Sequence, residues 1–225
     1  MMNFTEPISS YFAQALIIAV PLLSAITLHE LSHGWVAYRH GDNTAKSEGR
    51  LSLNPLKHLE LFGSIIVPAS TYFLLGGLVF GWAKPVPVNP NKLNHPNKDM
   101  ALVALAGPAS NLIMAVFWFM LLRICSPTVS PPMPEITYWQ YILISMSTLG
   151  CWLNFILMAF NLFPLPPLDG SRILSALLPT KDQVQYVQLA PYGMLLIVLA
   201  LATDILPFAL IQALCVNFFK FLGSF

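Results

Sequence analysis

The residues best suited to chemistry stand close together, in "ITLHELSHGWVAYRH", residues 26–40. His29 and His33 are four positions apart, so on a helix they share a face. Both imidazoles can then reach one metal ion at about 2.0–2.1 Å. Glu30 projects about 100° round the helix from His29, beside such an ion and able to take a proton. Two zinc ligands and a base are what an HExxH motif offers. The surrounding run is strongly apolar, where ionisable groups are costly. A shared ion accounts for the pair better than a hydrogen-bonded cluster does.

A catalytic zinc site needs a third protein ligand, with the fourth position open. His40 lies about 16 Å along a continuing helix from His29, too far to help. His58, His95, Glu48 and Glu60 lie in polar stretches, where a solvated surface role is expected. Asp169 remains, in "NLFPLPPLDGSRIL" (161–174). Three prolines break the chain just before it, and irregular backbone at membrane depth is tolerated where it lines a cavity. Pattern alone leaves two roles open for Asp169: metal ligand, or N-cap of a short helix starting at Ser171.

The elements that must position these residues are membrane helices. Of 225 residues, 56% are hydrophobic and 9% charged, against about 25% charged in a soluble domain. Mean hydropathy is +0.67. The net charge of +1 and the lack of a basic stripe give no sign of a nucleic-acid partner. Cys125, Cys151 and Cys215 read as small packing residues. The first apolar run has no basic residue before it and no small-residue cleavage site after it, and reads as an uncleaved helix.

Apolar runs cover 8–28, 61–80, 101–124, 138–163, 184–202 and 205–223, each near the length that spans a bilayer. Polar stretches 39–60 and 81–99 carry most of the Lys and Arg. If 61–80 enters and leaves by one side, both stretches fall in the cytoplasm, as the positive-inside rule prefers. That topology also brings Asp169 to the cytoplasmic side, where the histidine pair lies. The expected fold is an all-α polytopic membrane protein. It has about five transmembrane helices plus a re-entrant segment, or six if 61–80 crosses, with a small β-hairpin or edge strand near the site. Residues 1–225 read as a single domain, with a core at about 11–180 and a helical hairpin at about 184–223.

"HELSH", "AGPASN" (106–111) and "NLFPLPPLDG" (161–170), in this order, resemble the site-2 protease family of intramembrane zinc metallopeptidases. "FGWAKPVPVNP" (80–90) is similar to the segment that follows the first motif in small bacterial members. The resemblance covers about residues 15–180. It implies His29, His33 and Asp169 as Zn2+ ligands and Glu30 as catalytic base. It implies that Asn161 helps to hold the substrate or its oxyanion, and that Asn111 packs or supports the site. It also implies a multi-pass protein of a bacterial cytoplasmic membrane, active toward the cytoplasm on membrane-protein substrates within the bilayer. Unlike larger members of that family, these 225 residues are expected to hold no PDZ or CBS domain.

The residues fit that chemistry on their own terms. Glu30 can accept a proton from water and pass it to the leaving amine. Asn161 can donate to an oxyanion, or make a helix–helix hydrogen bond. "VFGWAKPVPVN" (79–89) can serve as an exposed edge onto which an extended substrate adds, or as a rigid turn. "GRLSLNPL" (49–56) is a candidate neighbouring strand. A metal carrier or a catalytically silent relative is the rival reading. A carrier would spread ionisable groups along a pathway, whereas here they converge at one depth.

Overall fold

The computed structural model describes residues 8–74, 81–126, 136–202 and 208–223. Three long apolar helices dominate it: α1 (Ile8–Arg39), α4 (Pro96–Cys125) and α5 (Tyr138–Asn161). Each is long and apolar enough to cross a bilayer. Shorter helices complete the described chain: α2 (Thr44–Ser47), α3 (Val67–Leu74), α6 (Asp169–Leu177), α7 (Thr180–Val187), α8 (Ala190–Ala202) and α9 (Phe208–Gly223). A π-helical turn, Phe62–Ile66, leads into α3. The apolar run 61–80 is thus helical to Leu74, and residues 75–80 lie outside the described set.

Helices α1, α4 and α5 pack against one another, and α6 packs on α4. Their interfaces use small residues. Ala25, Ala37, Val103, Ala104, Ala115, Ser147 and Cys151 are buried, whereas Phe12, Ile18, Ile113, Phe117, Met120 and Ile124 are exposed. This is the arrangement lipid favours: hydrophobicity does not drive helices together there, so close backbone approach and polar links do. Trp118, Phe119 and Cys151 form one tight cluster, and Ala115, Phe155 and Cys215 bring α9 onto α5.

Local signals set the helix ends. Thr137 and Gln140 form a reciprocal capping box at the start of α5. Pro96 opens α4, where its missing N–H is no loss. Asp99 in that first turn accepts from the His95 N–H at 2.7 Å and meets His40 Nδ1 at 3.1 Å, tying the end of α1 to the start of α4. Gly41, at φ +104°, makes the turn that leaves α1, with Asn94 and Lys92 packed against it.

Three expectations change here. No strand forms among the described residues, so the predicted hairpin or edge strand is instead an extended, irregular segment at 81–89. The reason lies in its donors. Pro85 and Pro87 have none, the Val86 and Asn89 N–H groups go to Glu30 and Asp42 side chains, and the Trp82 and Lys84 N–H groups bond to the Gly63 and His58 carbonyls. His58, expected in solvent, is fully buried beneath this segment, its Nε2 2.8 Å from the Ser52 carbonyl. The predicted run 184–202 is also divided. The polar sequence "TKDQVQYV" forms α7, and α8 begins only at Ala190.

Candidate metal centre

His29 and His33 both lie on α1, where four-residue spacing puts their rings 4.7 Å apart, edge to face. Their Nε2 atoms are 3.1 Å apart. Asp169 Oδ2 lies 3.2 Å from each. The three atoms form a near-equilateral triangle, and a tetrahedral ion with bonds of about 2.0–2.1 Å needs ligands about 3.3–3.4 Å apart. Among the described residues this is the one group of three such side chains that could hold a metal ion.

The rest of the pocket fits an ion as well. The Asp169 Oδ2 atom is buried with no hydrogen-bond donor assigned to it, which is expensive unless a cation sits against it. Each imidazole is turned so that Nε2 faces the triangle. His29 Nδ1 lies 2.6 Å from Asn111 Oδ1, and His33 Nδ1 lies 2.7 Å from the Val103 carbonyl. Both partners are acceptors, so each ring carries its proton on Nδ1 and leaves Nε2 free to ligate. Asn111 is itself held, donating to Asn154 Oδ1 at 3.2 Å, while Asn154 donates to the Gly150 carbonyl at 2.9 Å.

Val103, Gly107 and Asn111 follow at four-residue intervals along one face of α4. A methyl at Gly107 would strike both histidine rings, so its absence is what lets α4 approach. Asp169 is the first residue of α6, beyond the Pro-rich turn. A side chain at Gly170 would strike the Leu162 and Phe163 carbonyls, so glycine there lets the turn fold back and aim Asp169 at α1.

Glu30 does not join the triangle. Its Oε2 accepts from the Val86 N–H at 2.7 Å, on the extended segment. Asn161 ends α5 and donates to the Leu157 carbonyl at 3.0 Å. His40, too far along α1 to ligate, pairs instead with Asp99. Asn154, Gly107 and the Val103 carbonyl went unread in the sequence. "AGPASN" was the signal for Gly107, whereas a backbone carbonyl leaves none.

A family model for peptidase family M50 matches residues 17–141 and 128–201. The chain belongs to peptidase family M50. The similarity to site-2 proteases read from its motifs is therefore one of membership. Among relatives of this M50 peptidase, "Putative zinc metalloprotease YwhC" of Bacillus subtilis is 39% identical over 84% of this chain and 81% of its own length. "Putative zinc metalloprotease Rip2" of Mycolicibacterium smegmatis is 30% identical over 88% and 71%. A namesake of these from Methanocaldococcus jannaschii, MJ0611, is 28% identical over 67% of this chain and 65% of its own. No solved structure gives a significant match to this M50 peptidase.

Proposed function

We propose that this chain is an intramembrane zinc endopeptidase, cutting a peptide bond within or near a transmembrane segment of a membrane-protein substrate. The observation that carries the reading is the meeting of His29 Nε2, His33 Nε2 and Asp169 Oδ2 within 3.2 Å on apolar helices. These three residues would hold the ion. When bound, zinc supplies Lewis-acid polarisation of the scissile carbonyl and activation of a water molecule.

The remaining roles fall to this chain's own groups. Glu30, one residue from a ligand and fixed by the Val86 N–H, accepts a proton and delivers it to the leaving amine. Asn161 has a second amide N–H beyond the one given to Leu157, and it serves the oxyanion. A substrate must be extended before its backbone can be attacked. The segment 81–89 offers it an extended neighbour, and a cavity of about 370 Å³ beside that segment has room for its flank. Val86, Val88, Ser171 and Arg172 are among the cavity's lining residues.

In the membrane, about five helices cross and 61–80 re-enters, with the site toward the cytoplasmic face of a bacterial inner membrane. Residues 11–180 act as the core and 184–223 as the C-terminal hairpin of one domain. Substitution Glu30→Gln tests the reading. The purified variant should keep its zinc and lose about 10²–10⁴-fold in cleavage of a membrane-protein substrate. It should also retain that substrate, so that the two can be isolated together. Undiminished cleavage by the variant would remove Glu30 from the reaction.

A further inference from the structure

The sequence "KPVPV" has a single backbone donor between Lys84 and Val88, because Pro85 and Pro87 have none. That donor, the Val86 N–H, is the one given to Glu30. The peptide plane that carries it also carries the Pro85 carbonyl on its opposite edge. Arg50 sits behind that plane. One guanidinium nitrogen, Nη2, donates to the Lys84 carbonyl at 3.0 Å and reaches the Pro85 carbonyl at 3.4 Å.

Arg50 is only 9% exposed, and among the described residues it has no carboxylate partner. A buried guanidinium is costly unless its hydrogen bonds are strong. Here its contacts are spent on two consecutive carbonyls. We propose that Arg50 is a positioning residue for the reaction: by gripping the Lys84 and Pro85 carbonyls it fixes the 85–86 peptide plane, and through the Val86 N–H it sets where the Glu30 carboxylate stands. This rests on Glu30 being the base.

Two effects act together. The first is geometric: a peptide plane pinned at its oxygen cannot rotate its N–H away from Glu30. Proline at 87 already restricts Val86 to extended backbone, so the plane is held from three sides. The second is electronic. A cation on the carbonyl polarises the peptide and strengthens its N–H as a donor. Lys84 N–H donates to the His58 carbonyl at 2.9 Å, which anchors the segment whether or not Arg50 is present. Loss of Arg50 should therefore loosen one peptide and leave the fold in place.

The test is a double-mutant cycle between Arg50→Ala and Val86→Pro, the second of which deletes the donor. Misplacing a catalytic group by about 1 Å costs up to about 100-fold. Arg50→Ala should lower kcat about 10- to 100-fold with KM within about twofold, at unchanged zinc content and melting temperature. Arg50→Lys, which can still bond one carbonyl, should recover part of the rate. Val86→Pro should match Arg50→Ala, and the double variant should be no slower than Val86→Pro alone.

Wild-type kcat in Arg50→Ala, a loss confined to KM or to zinc content, or losses that multiply in the double variant would each overturn the proposal. If Arg50→Ala does not fold, the same cycle with Arg50→Lys decides. Glu30→Gln is measured alongside. Should it leave cleavage intact, the assignment of the base is what fails. Should it abolish cleavage while Arg50→Ala runs at full rate, this inference alone fails.

Discussion

Gly107→Ala adds one methyl at the closest approach of α4 to the candidate metal centre. The new carbon would stand 2.5 Å from His33 Cε1 and 2.6 Å from His29 Cε1, where ordinary contact begins at 3.4 Å. Each ring would have to retreat by at least about 0.8–0.9 Å, since His33 Nε2 lies closer still. Neither is free to do so. His29 Nδ1 is held at 2.6 Å by Asn111 and His33 Nδ1 at 2.7 Å by the Val103 carbonyl, and such a retreat breaks both bonds. Metal–ligand distances tolerate about 0.2 Å, so the displacement is roughly four times what the site can absorb.

Helix propensity argues the other way, since alanine is favoured over glycine in a helix by about 1 kcal/mol. That gain partly offsets an overpacking cost of about 1–3 kcal/mol. The variant should therefore fold with a modestly lowered melting temperature and bind zinc at least about 100-fold more weakly. Metal content after purification, and the rate of zinc loss to a chelator, read this out. Gly150→Ala is the control, because its methyl would strike the Trp118 ring instead. It should lower the melting temperature and keep the zinc. Full zinc occupancy with wild-type chelator resistance in Gly107→Ala would refute the packing argument.

Asn111→Leu leaves His29 Nδ1 without its acceptor, and zinc affinity should fall about 10- to 100-fold in chelator competition. Unchanged affinity would show that the ring needs no orienting partner. Stripping the metal should lower the melting temperature, and zinc at about 100 times its Kd should restore about 2.7 kcal/mol; equal melting curves with and without zinc would contradict the site. Asp42 is fully buried. Burial pushes its carboxyl up, but hydrogen bonds from Thr44 and Asn89 outweigh this and hold it below the usual range. Its stabilisation is therefore present above about pH 4 and fades as pH falls through the depressed value. Asp42→Asn should melt lower at neutral pH and lose that acid-side decline, as seen in melting temperatures between pH 7 and pH 3.

The parts of this molecule governed by short-range spacing could be read before any coordinates. His29, Glu30 and His33 sit on one helix, so the helical period fixes their relative directions. Asp169 could be reached because prolines mark where α5 must stop. The helices α4 and α5 begin and end within five residues of their apolar runs. What stayed hidden depends on how helices meet. Asn154 supports Asn111 across the α4–α5 contact, and the Val103 carbonyl orients His33 by position alone. The missing strand is instructive for another reason. Extended backbone was foreseeable from Pro85 and Pro87, but the partners of Val86 and Asn89 turned out to be the carboxylates of Glu30 and Asp42. Those bonds join segments more than forty residues apart, and no local pattern records them.

The support for both imidazoles comes from a single stripe of α4, at positions 103, 107 and 111. One inserted residue ahead of Val103 would swing that stripe about 100° away and disarm both rings in one step, although every side chain in the site would still be present. Sliding α4 along α1 would act likewise. The alignment of two rods, and not only the identity of each residue, therefore decides whether such a peptidase is on or off.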